Sequence, residues 1–177
     1  MNFNKIMKQV ITALIFTVAV VGFFACGDDN NLEELRNNEL DKLDKYIQAN
    51  YPDEEPLPSG LYFIEEKIGT GDTINPGDQV QIYYATWTLD SILLDQTSGY
   101  LEGYRYEPYT VNVGSQTSIT GLEEALTHMQ KGSVANIVIN SQLAYGQNGN
   151  VNGNPPVPGF TTLLMQVEVY KIYKAGQ

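Results

Sequence analysis

The chain has 177 residues, of which 42% are apolar and 18% charged, and a formal net charge of -11. That length suits one domain plus extras, and that composition suits a folded globular protein. The acidic balance and the lack of a basic stripe argue against nucleic acid as a partner, because phosphate contacts need clustered Lys and Arg. One cysteine and one histidine exclude an intramolecular disulfide and the usual His/Cys zinc sites, and leave Cys-His nucleophilic chemistry without support.

In chain order, Lys5 and Lys8 precede an apolar run from Val10 to Ala25, and Cys26-Gly27-Asp28-Asp29 follows. This is the layout of a signal peptide: a positive n-region, an apolar h-region and a small residue before the cleavage point. The run is short for a spanning helix, and an uncleaved N-terminal anchor is the other reading of it. Ala25-Cys26 resembles the lipobox of bacterial lipoproteins, with Phe23 where leucine is commoner. That resemblance implies cleavage before Cys26, lipidation of this sole cysteine and attachment to a bacterial membrane. The acidic stretch after it is either a solvated spacer or similar to surface-export signals of Bacteroidetes lipoproteins. Residues 1–25 are then a lipoprotein signal peptide, 26–59 an acidic tether, helix and linker, and 60–177 the folded domain.

Residues 32–49 carry Leu32, Leu35, Leu40, Leu43, Tyr46 and Ile47 as an interrupted apolar stripe among charged and polar residues. Such a helix packs on the domain that follows, pairs with a second copy, or serves as a stalk. Tyr51-Pro52 and Glu55-Pro56-Leu57-Pro58-Ser59-Gly60 then break the periodicity. A strand is expected from Leu61 to Ile68, followed by turns at Gly69-Thr70-Gly71-Asp72 and Asn75-Pro76-Gly77-Asp78. Gln79 to Thr88 alternates, with Val80, Ile82 and Tyr84 on one face and Trp87 pointing away.

Leu93 to Thr97 is a further strand, and Ser98 to Glu107, rich in Gly and Tyr, reads as a loop. A strand over 108–114 leads to Ser118-Ile119-Thr120-Gly121-Leu122-Glu123-Glu124-Ala125-Leu126, a turn opening one short helix. Thr120 is expected to cap it with Glu123 reaching back, and Gly132 to close its end. Leu122, Ala125, Leu126 and Met129 share one side, while His128 falls on the surface. Strands are expected over 133–139 and 161–173, the last with Leu163, Met165, Val167 and Val169 on one face. Between them, Leu143-Ala144-Tyr145-Gly146 opens a loop of Gly, Asn and Pro reaching Gly159. That loop is polar enough for disorder, yet long loops in compact domains are more often functional.

Five or six strands and one short helix make an α+β antiparallel architecture, a curved sheet wrapped around the helix. A lone helix with a continuous apolar face needs such a sheet, and a pocket is expected at its N-terminal end.

Several stretches in order, among them Gly60-Leu61-Tyr62, Gly77-Asp78, Tyr83-Tyr84, Asp95, Val113-Gly114, the helix run 119–126, Met129-Gln130-Lys131-Gly132 and Leu143-Ala144-Tyr145-Gly146, resemble the FKBP-type peptidyl-prolyl isomerases over residues 60–173. With the lipobox and the N-terminal helix, the chain is similar to the lipoprotein members of bacterial, Bacteroidetes-like envelopes. The resemblance implies an FKBP-like fold, proline-containing polypeptides as partners, and a reaction needing neither cofactor nor metal. X-Pro bonds rotate slowly because amide resonance sets a barrier of about 18–20 kcal/mol. A dry apolar pocket lowers it by withholding the water that favours the planar, polar amide.

Carried over by position, Asp95 is the pocket carboxylate, oriented by Tyr84 and facing the twisting carbonyl. Tyr145 donates its hydroxyl to the peptide, the Ile119 N–H binds a substrate carbonyl beside Ser118, and Tyr109 replaces a pocket aromatic. Leu122 stands where the family carries a tryptophan, and Leu94 and Met165 stand where it carries other aromatics. An apolar pocket without those flat walls implies weak activity and weak affinity for macrolides. A binding module that has lost useful turnover is the other reading of the same substitutions. The loop 148–158 does not align well enough to carry a role.

Overall fold

The chain is seen here in a computed structural model that describes residues 28–176, with side chains from residue 31; the apolar N-terminal run and Cys26 lie outside the described residues. Helix α1 (Asp28–Asn50) is followed by β1 (Tyr62–Lys67), β2 (Gln79–Thr88), β3 (Leu93–Gln96), β4 (Tyr109–Asn112), helix α2 (Thr120–Thr127), β5 (Val134–Ile139) and β6 (Leu163–Tyr173). Asn38–Gln177 form one compact unit; of the other, Met1–Asn37, the described part is the start of α1.

The six strands make one antiparallel sheet in the order β1-β5-β6-β2-β3, with β4 also on β2. The far edge of β2 is therefore shared. Gln79 to Ile82 pair with β4, and Ala85 to Trp87 pair with β3. Tyr84 sits at the seam, where Thr97 takes over: its N–H donates to the Tyr84 carbonyl at 2.9 Å, and its hydroxyl accepts from the Tyr84 N–H at 3.1 Å.

The alternation of β2, β5 and β6 sends one set of apolar side chains inward. Val80, Ile82, Ala135, Ile137, Ile139, Leu163, Met165, Val167 and Val169 are buried there against Leu122, Ala125 and Leu126 of α2 and against Met129. This is the main core. The approach is close enough that a Cβ on Gly121 would lie 2.4 Å from the Cγ2 of Ile139, so only glycine fits at that position.

The ends of α2 differ from the capping box and glycine stop expected above. Thr120 is already helical; Ile119 holds the cap position in extended conformation (φ -67°, ψ 140°) and offers no side-chain cap bond. The buried Glu123 carboxylate instead accepts from the N–H of Gly114 at 2.8 Å and of Ser118 at 3.3 Å, pinning the turn ahead of the helix. The helix finishes at Thr127, and Gly132 (φ +82°) turns the chain into β5, its N–H donating to the Val169 carbonyl. His128 is exposed and lies beside the Phe63 ring.

The outer face of the sheet is also covered. Leu43 and Ile47 of α1 pack on Ile64 of β1 and Val138 of β5, so this part of the N-terminal helix docks on the sheet. Beside it, the 97–107 loop folds back over Tyr83, Ala85 and the partly exposed Trp87, burying Tyr100. Arg105 holds that loop down, bonding Glu168 at 2.7 Å with its guanidinium over the rings of Tyr100 and Tyr83.

Candidate functional site

A cavity of about 710 Å³ opens between the sheet, the residues just ahead of α2, and the 141–162 loop. Every residue expected at the site lines it: Tyr84, Leu94, Asp95, Tyr109, Ser118, Ile119, Leu122, Tyr145 and Met165. The pocket therefore lies at the N-terminal end of the helix, where a helix shorter than the strands leaves the sheet uncovered.

Its floor is aliphatic. Leu122 from α2, Leu163 and Met165 from β6, and Val157 from the loop are all buried. Tyr84 forms a wall, with the Tyr109 ring edge-on to it at 5.7 Å between centroids. The seam in β2 explains this grouping. Tyr84 lies between the β3 and β4 pairings, so Asp95 reaches it from one partner strand and Tyr109 from the other.

Leu94 and Asp95 are neighbours in a strand, and strict alternation would send them to opposite faces. Both line the cavity. The register accounts for this: Thr86 pairs with Asp95 and Trp87 with Leu93, leaving Leu94 as the extra residue of a bulge.

The Tyr84 hydroxyl donates to Asp95 Oδ2 at 2.5 Å, and the Gln96 N–H donates to Asp95 Oδ1 at 2.9 Å. One carboxylate oxygen is thus held by the phenol and the other by its own strand, which fixes the plane of the carboxylate over the cavity. Burial, then the hydrogen bond to Asp95 and its charge, push the Tyr84 phenol well above the ordinary tyrosine range. Tyr84 is consequently a dependable donor.

Two further donors are unspent. The Ile119 N–H and the Tyr145 hydroxyl make no hydrogen bond among the described residues, although both residues line the cavity. A polar rim with free donors over an apolar floor suits a ligand that carries carbonyls along an apolar body.

The structure adds residues that the sequence did not single out. Thr86 and Leu163 lie two positions from Tyr84 and Met165 on the same strand faces, so alternation was a sufficient signal for both. Asn150, Gly153, Asn154, Pro155 and Val157 come from the loop that sequence comparison left unaligned. That loop is ordered by its own backbone: Asn150 and Val157 exchange hydrogen bonds at 2.8 and 2.9 Å, and the Phe160 N–H returns to the Gly146 carbonyl. A Cβ on Gly149 or Gly159 would strike backbone oxygens at 2.1 and 2.0 Å, which explains the glycine content. Among the described residues no His, Cys, Asp and Glu cluster is arranged to hold a metal ion.

Comparison with known proteins identifies the family and the fold. Residues 71–170 match the family model of the FKBP-type peptidyl-prolyl cis-trans isomerases. The FKBP-type peptidyl-prolyl cis-trans isomerase FkpA of Buchnera aphidicola is 29% identical over 142 residues, 79% of this chain and 52% of that protein. The FKBP-type 22 kDa peptidyl-prolyl cis-trans isomerase of Escherichia coli is 32% identical over 130 residues, 72% of this chain and 58% of that one. The chain thus spans about half the length of these curated relatives. The crystal structure of a peptidyl-prolyl cis-trans isomerase from Pseudomonas syringae shares the fold, with a TM-score of 0.67 at 24% identity, covering 84% of this chain and all of the other. With the family model matching more than half of its residues, the chain belongs to the FKBP-type peptidyl-prolyl cis-trans isomerase family.

Proposed function

We propose that this protein catalyses cis–trans isomerisation of X-Pro bonds in proline-containing polypeptides, with modest turnover. The observation that carries the reading is the Tyr84–Asp95 pair held over an aliphatic floor, with the Ile119 N–H and the Tyr145 hydroxyl free beside it. The proline ring enters the floor of Leu122, Met165 and Leu163. The Ile119 N–H and the Tyr145 hydroxyl hold peptide carbonyls, fixing one side of the X-Pro bond while the other rotates. As the amide twists, its carbonyl loses resonance and polarity, and the dry floor disfavours the planar, polar form that water would stabilise. The Asp95 carboxylate, oriented by Tyr84, faces that carbonyl and favours its altered charge distribution.

A protease-coupled assay on proline tetrapeptides with several residues before proline tests this. Wild type is expected to accelerate isomerisation, and Asp95→Val to lower kcat/KM by about a hundredfold, the low end of the scale for one preorganised electrostatic contact. No acceleration by wild type, or full activity in Asp95→Val, removes the enzymatic reading.

A specific observation favours a second reading. The walls at Leu94, Leu122 and Met165 are aliphatic, so the ring-on-ring contacts that would grip a proline come from Tyr84 and Tyr109 alone among those positions. A module that binds peptides or a partner with little turnover fits that wall, and proline-peptide binding without catalysis would select it. The same wall leads us to expect weak macrolide binding.

The chain is further proposed to be anchored in a bacterial envelope, in the outer membrane, through lipid on Cys26. The support is the apolar run from Val10 to Ala25 ending at the sole cysteine. Among the described residues no helix is long and apolar enough to cross a membrane. Globomycin-sensitive processing and lipid labelling, both abolished by Cys26→Ser, are the expected results; labelling that survives the substitution rejects the anchor.

A further inference from the structure

The face of α1 that docks on the sheet carries three residues at four-residue spacing: Glu39, Leu43 and Ile47. Two are apolar, as docking requires. The third is a carboxylate, 4% exposed, and burying an ion is costly unless donors surround it. Three hydrogen bonds reach it from one place in the fold. Ser141 gives its N–H to Oε1 and its hydroxyl to Oε2, both at 2.6 Å, and Thr162 gives its hydroxyl to Oε1 at 2.9 Å. Ser141 and Thr162 are themselves buried.

Those two residues are the roots of the cavity loop. Ser141 lies two positions after the end of β5 and opens a short 3-10 turn, and Thr162 immediately precedes β6. Everything between them that lines the cavity, Tyr145 included, hangs from this pair. The link to Tyr145 is short. The Ser141 carbonyl accepts from the N–H of Ala144 and of Gly146, the residues on either side of Tyr145. One helix-borne carboxylate therefore ties both ends of the loop to each other and to the sheet.

We infer that Glu39 is a positioning residue of the isomerase site: it acts through Ser141 and Thr162 to hold the 142–161 loop, and with it the Tyr145 hydroxyl, over the cavity. Docking of the helix alone does not need it, because Leu43 and Ile47 supply the apolar contact. The stretch of α1 around Glu39 is in this sense part of the site. The inference rests on the isomerase reading for its kinetic consequence and on hydrogen bonding alone for its structural one, so the two are separable.

The test compares full-length wild type, Glu39→Ala and Leu43→Ala by isomerase assay and by hydrogen exchange. Glu39→Ala is expected to lower kcat/KM by about tenfold and to speed amide exchange in 142–161 by about tenfold, leaving exchange in β1, β5 and β6 within about twofold of wild type. Leu43→Ala is expected to lower the melting temperature while leaving kcat/KM within about twofold, because it loosens docking without touching the clamp. If Glu39→Ala keeps wild-type activity and loop exchange, or if activity in both variants falls only in step with global stability, the inference is wrong. Should Glu39→Ala fail to fold, Thr162→Val removes one donor at constant shape and is expected to raise loop exchange about threefold; unchanged exchange rejects the clamp. If wild type shows no isomerase activity, the functional reading falls, and the clamp stands or falls on loop exchange alone.

Discussion

The inner and outer faces of the sheet hold the same strands by different means. The inner face is aliphatic along β2, β5 and β6 and is closed by a single helix, so hydrophobic burial does nearly all the work. The outer face is covered in two patches, by α1 around Leu43 and Ile47 and by the 97–107 loop around Tyr83 and Tyr100. Each patch is small and leans on polar contacts: Glu39 with Ser141 and Thr162, Arg105 with Glu168. The difference suggests a division of labour in which the inner face supplies stability and the outer face orients the loop beside the cavity.

The inner face is where a single substitution costs most. Leu126 is fully buried, and Leu126→Ala is expected to cost about 3 kcal/mol in urea unfolding, the middle of the range for deleting a buried leucine. Gly121→Ala drives a methyl group into Ile139, and about 2 kcal/mol of overpacking cost is expected, with reduced kcat/KM because Ile119 and Leu122 move with the helix. On the outer face, Leu43→Ala is expected to cost about 2 kcal/mol, less than Leu126→Ala because a shallow patch relaxes more readily. Arg105→Ala is expected to cost about 1 kcal/mol, since the ion pair is partly solvated and the cation–ring contacts add little more.

The smallest effect at neutral pH concerns Tyr84. Its phenol titrates above the ordinary value of 10.0 in the folded protein, so folding favours the protonated form. The associated stability is fully present below pH 10 and is lost as pH rises from there toward the folded value. Unfolding stability measured above pH 10 should fall more steeply with pH for wild type than for Tyr84→Phe; parallel pH dependences would show that burial and the bond to Asp95 together do not raise the Tyr84 phenol.

Much of the inner face was legible because alternation repeats it. Val80, Ile82 and Tyr84 on β2, and Leu163, Met165, Val167 and Val169 on β6, all point where a period of two sends them. Asp95, Ile119 and Tyr145 were legible through their order along the chain and the family resemblance. Their convergence on one cavity required the fold. The capping box failed for a local reason: Glu123 finds donors in Gly114 and Ser118, which no helix rule anticipates. Glu39 was passed over because a carboxylate does not register in an apolar stripe, although it shares the face of Leu43 and Ile47. The 97–107 loop was legible as a loop, but its cover of the outer face depends on Arg105 reaching a strand 63 residues away.

The short helix and the residues ahead of it could be placed from sequence, because periodicity and turn residues act over a few positions. The cavity at its N-terminal end was also expected, since a lone short helix cannot cover a longer sheet. What tertiary structure alone decided was how that cavity is bounded. The bulge at Leu94, the seam at Tyr84 and the clamp at Glu39 are products of strand register and helix docking. Those bring together residues separated by up to 123 positions, a distance over which no local pattern carries information.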